Sequence, residues 1–173
     1  MMYNAVSLIA IASTALPALA AVTSGVGIHN RCDFPVYIND VAPAVNQYER
    51  WTSIAPSADK NADATYYQAQ NPPAAGGAGI TLKLGLERSA NIMQLGVAVG
   101  NDNRFYYTMS NVDGNPFFAV SRRVGCFPNY KNFDSTYCGP SQTTDGCATG
   151  NPGRVMSAPT NCGAIVLELC AEA

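Results

Sequence analysis

Few residues in this chain could do bond chemistry. Its 173 residues hold six cysteines, one histidine (His29) and 12 Asp+Glu. A metal centre needs thiolates, imidazoles or carboxylates at a spacing that one ion can reach. No C-x-x-C occurs, and His29 has no partner at ligand spacing. No G-x-S-x-G elbow is present. Any Ser–His or Cys–His nucleophile would have to use His29, which is expected to be a surface or capping residue beside the first strand. Cleavage of a glycosidic bond needs two carboxyl groups astride it, one acid and one base or nucleophile. Asp113, Glu87, Asp102 and Glu168 are available, but nothing in their spacing sets two of them together. No metal and no cofactor is therefore expected. Arg122-Arg123 reads as a solvated pair at a strand end, because processing there would split the domain.

The cysteines have a better use. All six lie beyond residue 30: Cys32, Cys126, Cys138, Cys147, Cys162 and Cys170. An even count in an oxidising compartment reads as disulfides, with 15 connectivities open to six cysteines. Their distribution favours one of these. Cys32 stands alone early and would reach Cys170, closing a loop worth ~4–5 kcal/mol in the chain-entropy model. Cys138 and Cys147 flank a Gly/Pro/Ser/Thr loop and would pair locally, leaving Cys126 with Cys162.

The elements that must position these residues are strands. In 79–87, Ile80, Leu82, Leu84 and Leu86 share one face, with Thr81, Lys83, Gly85 and Glu87 on the other. In 91–99, Met93, Leu95, Val97 and Val99 point in and Gln94 points out. Asn101-Asp102-Asn103 is a turn. Phe105, Tyr107 and Met109 then alternate with Tyr106, Thr108 and Ser110. Asp113-Gly114-Asn115-Pro116 is a second turn, in which Asp113 serves as an Asx residue. Segments 24–31, 35–41, 48–54, 64–69, 117–124 and 163–170 read as further strands, and 127–162 as a stapled excursion. Short strands between turn signals predict an all-β sandwich.

Residues 5–21 are uncharged and apolar, and Ala18-Leu19-Ala20 fits a small-x-small cleavage site. Residues 1–20 are expected to be a cleaved secretory signal, and 21–173 a single domain. No later stretch is long and apolar enough to span a membrane. The mature protein is expected to be monomeric and extracellular, or held at the wall by contacts. The charge is low: 10 Lys+Arg against 12 Asp+Glu, 13% of the chain in all. Without a basic stripe, nucleic-acid binding is excluded as an expectation. Solubility must rest on uncharged polar groups.

Residues 28–37, IHNRCDFPVY, resemble the opening strand of thaumatin-like proteins, and 107–114, YTMSNVDG, resemble that superfamily's Y-D-V-S-x-V-D-G strand and turn. Gly77 to Lys83, followed by SNVDGNPF from Ser110 to Phe117, resembles a small secreted fungal branch that includes the Blastomyces yeast-phase-specific proteins. The resemblance runs in order through most of the mature chain. It implies a thaumatin-like β-sandwich whose disulfide-stapled loop region is much reduced from that of the large plant members.

Some thaumatin-like proteins bind β-1,3-glucan and hydrolyse it weakly, in an acidic cleft. The carry-over here is partial. The Asp of V-D-G is kept as Asp113. The Asp of Y-D-V becomes Thr108, the cleft Glu falls at Gln94, and the family's Arg strand aligns near Lys83 without an Arg. Neither Thr108 nor Gln94 can transfer a proton, and Asp113 alone cannot fill both roles. The resemblance thus implies a non-catalytic protein of the fungal cell wall, in a branch associated with wall assembly, spore germination and host contact. A weak glucanase and an adhesin or effector for a host protein are the alternatives. Tyr37, Tyr48, Trp51, Tyr66, Tyr67, Phe105, Tyr106 and Tyr107 lie on expected strands. Such rings suit sugar or protein surfaces, although strands favour aromatics anyway. Tyr106 faces out beside Thr108, so Asp113, Gln94, Thr108 and Tyr106 form the expected ligand face, for cell-wall polysaccharide or a surface protein.

Overall fold

A computed structural model describes residues 25–41, 51–57, 65–69, 73–88, 91–142 and 154–172. The expected signal segment, Tyr48 and Cys147 lie outside them. Eleven strands are present among these residues: β1 Gly25–Asn30, β2 Val36–Val41, β3 Trp51–Ile54, β4 Thr65–Gln68, β5 Ile80–Gly85, β6 Met93–Val99, β7 Arg104–Ser110, β8 Arg122–Phe127, β9 Thr136–Cys138, β10 Met156–Pro159 and β11 Ala164–Leu169. The helical content among the described residues is one 3-10 turn, Thr160–Cys162. The strands form a five-stranded sheet, β4-β1-β11-β8-β9, and a six-stranded sheet, β10-β7-β6-β5-β2-β3.

Period-2 alternation builds the sandwich. Met93, Leu95, Val97 and Val99 of β6 and Phe105, Tyr107 and Met109 of β7 are buried in one core with Val26 and Ile28 of β1 and Ile165, Leu167 and Leu169 of β11. Their neighbours along the strands face the other way. Polar contacts also join the sheets. The Tyr67 hydroxyl donates to Asp40 at 3.1 Å, and Thr136 Oγ1 donates to Met156 Sδ at 3.2 Å between β9 and β10.

β1 and β11 run parallel, register Ile28 with Leu167, and bring the two ends of the fold side by side. Cys32–Cys170 bridges them with a Cα–Cα distance of 5.2 Å. Cys126–Cys162 joins β8 to the 3-10 turn across 6.1 Å. Cys138 is also disulfide-bonded, and its expected partner Cys147 lies outside the described residues.

Several local expectations change. The strand expected over 117–124 is β8, which begins at Arg122. Residues 116–120 instead turn, with Phe118 N donating to Asn115 O and Val120 N to Phe117 O, so Phe117 enters the core from a turn. Leu86 is 46% exposed because β5 ends at Gly85, where a Cβ would meet the Glu87 carbonyl at 2.6 Å. The excursion 127–162 contains β9 and β10, one on an edge of each sheet. Strands of three or four residues are too short for alternation to reveal.

The dibasic pair is not solvated. Successive strand residues point to opposite faces, so Arg122 turns in and Arg123 out. Arg122 is fully buried and donates to the carbonyls of Phe117, Val120 and Gln142. It caps the turn that precedes β8. Burial pushes its guanidinium pKa down. His29 is not a surface residue either: it is fully buried on β1, with the rings of Tyr66 and Phe127 packed edge-on at 4.2 and 4.5 Å.

Candidate functional site

The outer face of the six-stranded sheet carries the expected residues. Strand registry sets Trp51 of β3 beside Asn39 of β2, Asn39 beside Lys83 of β5, Lys83 beside Gln94 of β6, and Gln94 beside Ser110 of β7. One aromatic, two amides, one hydroxyl and one cation thus lie in one row across five strands, with Asn39 buried among them. At the β3 end, Tyr37 lies beneath the Arg88 guanidinium, 5.8 Å from ring centroid to Cζ.

Asp113 joins this row from the turn after β7. Gln94 Nε2 donates to Asp113 Oδ2. The turn is held in place by Ile92 N donating to the Asp113 carbonyl at 3.2 Å. Gly114 is required there: its φ is 138°, and a Cβ would lie 2.9 Å from Ile92 N. Sequence therefore named two residues that the fold brings into contact. Thr108 pairs with Gly96, one outward position along the same face, and its Oγ1 is buried with no hydrogen-bond partner. Tyr106 is 37% exposed and pairs with Ala98 and Ser157. Four residues separate it from Ser110, about 13 Å along a strand. Its hydroxyl donates to Asp102 at 2.7 Å, and that bond holds the Asp102 carboxyl below its usual pKa.

The remaining carboxylates are scattered. Asp102 is at the Tyr106 end of the face. Glu87 is exposed in the connection from β5 to β6, at the Asp113 end. Glu168 is on the other sheet and buried. Among the described residues no group of three His, Cys, Asp or Glu could hold a metal ion.

The five-stranded sheet carries a second row that alternation did not reveal. Registry aligns Tyr66, His29, Glu168, Arg123 and Tyr137 across β4, β1, β11, β8 and β9. Glu168 accepts from Arg31 Nε through Oε1, and its Oε2 is 3.8 Å from Arg123 Nη1. Arg123 lies over the rings of Tyr130 and Tyr137, at 5.1 and 5.6 Å. Both ring nitrogens of His29 are buried without hydrogen-bond partners, and burial lowers its pKa to about 4, aided by the Arg31 charge. The residues of β11 are apolar apart from Glu168, so the strand gave no hint of this row, whose partners come from four distant strands.

Several solved structures are similar to this chain. The protein elicitor MoHrip2 from Magnaporthe oryzae matches with a TM-score of 0.63 at 17% identity, covering 86% of this chain and 99% of that one. The thaumatin-like xylanase inhibitor TLXI matches with a TM-score of 0.56 at 15% identity, covering 86% of this chain and 100% of that one. At these identities the likeness is one of fold, and the fold is thaumatin-like. No curated protein matches the chain. A model of the Blastomyces yeast-phase-specific protein family, Bys1, matches residues 12–171, and the chain belongs to that family.

Proposed function

We propose that this is a secreted, non-catalytic thaumatin-like protein that acts at the fungal cell wall by holding β-glucan on the outer face of its six-stranded sheet. The observation that carries this reading is the Gln94–Asp113 hydrogen bond. The position that pairs with Asp113 holds an amide, which orients a carboxylate but cannot exchange a proton with substrate. The row from Trp51 to Ser110 supplies what a neutral polysaccharide needs instead: an aromatic face, amide and hydroxyl groups, and little charge. Roles in wall morphogenesis, conidial germination or surface contacts are part of this proposal and rest on resemblance rather than on any residue.

The test is retention of the purified protein on insoluble β-1,3-glucan, with reducing-sugar release assayed in the same samples. Retention without hydrolysis is expected, and Trp51→Ala should reduce it. Sugar release that disappears in Asp113→Ala would overturn the non-catalytic reading. Retention only on host-cell surface would sink the wall reading in favour of a protein partner.

A further inference from the structure

A separate cavity of about 700 Å³ opens on the far side of the molecule, between Arg123 of β8, the loop 128–135 and Glu172. Its size lies within the range of small-molecule sites. The loop is built onto the sheet rather than hung from it. Asn129 Nδ2 donates to Cys162 O at 3.3 Å, Ser135 Oγ donates to Tyr130 O at 3.0 Å, and the buried Tyr107 hydroxyl donates to Asp134 O. Gly125 lies directly beneath: a Cβ there would meet Ser135 at 2.7 Å and Tyr130 at 2.9 Å. The cavity wall is thus fixed before any ligand arrives.

Its charges are unevenly matched. Asp134 is paired with Arg154 at 3.0 Å. Glu168 is bonded to Arg31, and it stands 3.8 Å from Arg123. Arg123 also donates to the Glu172 carbonyl. Lys131 is exposed and has no ionic partner among the described residues. Two cations therefore face a cavity whose wall also offers the ring of Phe133 and the carboxylates of Asp134 and Glu172. The Tyr130 hydroxyl is buried with no hydrogen-bond partner.

We propose that this cavity binds an acidic saccharide through one hexuronate ring, its carboxylate on Arg123 and Lys131 and its hydroxyls on Asp134 and Glu172. Arg123 Nη2 is held by the Glu172 carbonyl, so Nη1, 3.8 Å from Glu168, is the guanidinium donor for the ligand carboxylate beside Lys131. Carboxylates accept strongly from sugar hydroxyls, and Phe133 offers an apolar face for the ring. A dianionic phosphate fits less well, because it brings a second charge toward Asp134 and Glu172. The site is on the opposite sheet from the proposed glucan face, so either can fail without the other.

Isothermal titration of the full chain with a galacturonic-acid oligomer, a neutral galactose oligomer of equal length, and inorganic phosphate tests this. The acidic oligomer should bind about tenfold more tightly than the neutral one, the scale of one partly desolvated charge pair. Lys131→Gln should remove most of that preference, as should Arg123→Gln where it folds. Lys131 is exposed, so its variant keeps the test valid if Arg123→Gln does not fold. No binding at millimolar concentration, equal affinity for the neutral oligomer, phosphate binding as tight as the acidic oligomer, or an unchanged preference in Lys131→Gln would each overturn the proposal.

Discussion

Gln94 and Asp113, 19 residues apart, are joined by a hydrogen bond from the Gln94 amide to the Asp113 carboxylate on the outer face of the six-stranded sheet. The bond ties β6 to the turn that follows β7. An amide at this position can orient the carboxylate but cannot transfer a proton.

Replacing that amide should reveal the difference. In Gln94→Glu, two carboxyl groups share the site, and like charges at contact cannot both ionise easily. One of the two should titrate above the ordinary carboxyl range, as followed by NMR of the side-chain carbons. Two normal titrations would mean that the pair is not held together in solution. Asp113→Ala should cost stability only about 1 kcal/mol, because the bond it loses is exposed.

His29 should make the fold sensitive to mild acid. Its folded pKa is lowered to about 4, against 6.5 when unfolded. Between these values the unfolded chain binds the extra proton, so stability is complete above about pH 6.5 and falls as the pH drops toward 4. The loss from this residue reaches ~3 kcal/mol. Urea unfolding of wild type and His29→Phe between pH 7 and pH 4 should show a shallower decline in the variant. Parallel declines would refute the assignment.

The Arg31–Glu168 pair should be costly to break from one side. The Glu168 side chain is 5% exposed and that of Arg31 is 23% exposed. Glu168→Leu leaves Arg31 without its partner and should destabilise by about 2–3 kcal/mol, below the figure for a fully buried pair. Arg31→Leu combined with Glu168→Leu should recover much of that loss. Additive losses in the double variant would show that packing, not charge pairing, sets the cost.

The Cys32–Cys170 and Cys126–Cys162 bridges should differ in worth. Cys32–Cys170 closes a separation of 138 residues and Cys126–Cys162 one of 36. Loop-closure entropy gives about 5 and about 4 kcal/mol respectively. Denaturant midpoints of the two paired Cys→Ala variants should fall in that order. The reverse order would show that strain or residual structure outweighs chain entropy.

Much of the six-stranded sheet was legible because it is a local pattern. Alternation alone separates Leu95 from Gln94 and Tyr107 from Tyr106, and the structure keeps that separation. Leu86 broke the pattern because a turn, not a strand, follows Gly85. Phe117 broke it because an apolar residue in a turn reads like one in a strand. His29 and Arg122 were misjudged for a common reason. A lone polar residue on a strand gives no sign of what covers it; here Tyr66 and Phe127 cover His29 on the outer face, and the turn before β8 meets Arg122 on the inner one.

What the amino-acid order determined by itself is therefore the strand character, the inward and outward faces of β5, β6 and β7, and a family resemblance carried by short motifs. These depend on neighbours two residues away. Tertiary structure alone decided which outward residues meet. Glu168 lies beside His29 because β1 and β11 pair in parallel, and beside Arg123 because β8 pairs on the other side. Register between strands distant in the chain is set by the packing of the whole core, so no local spacing could have announced either that row or the cavity beneath the 128–135 loop.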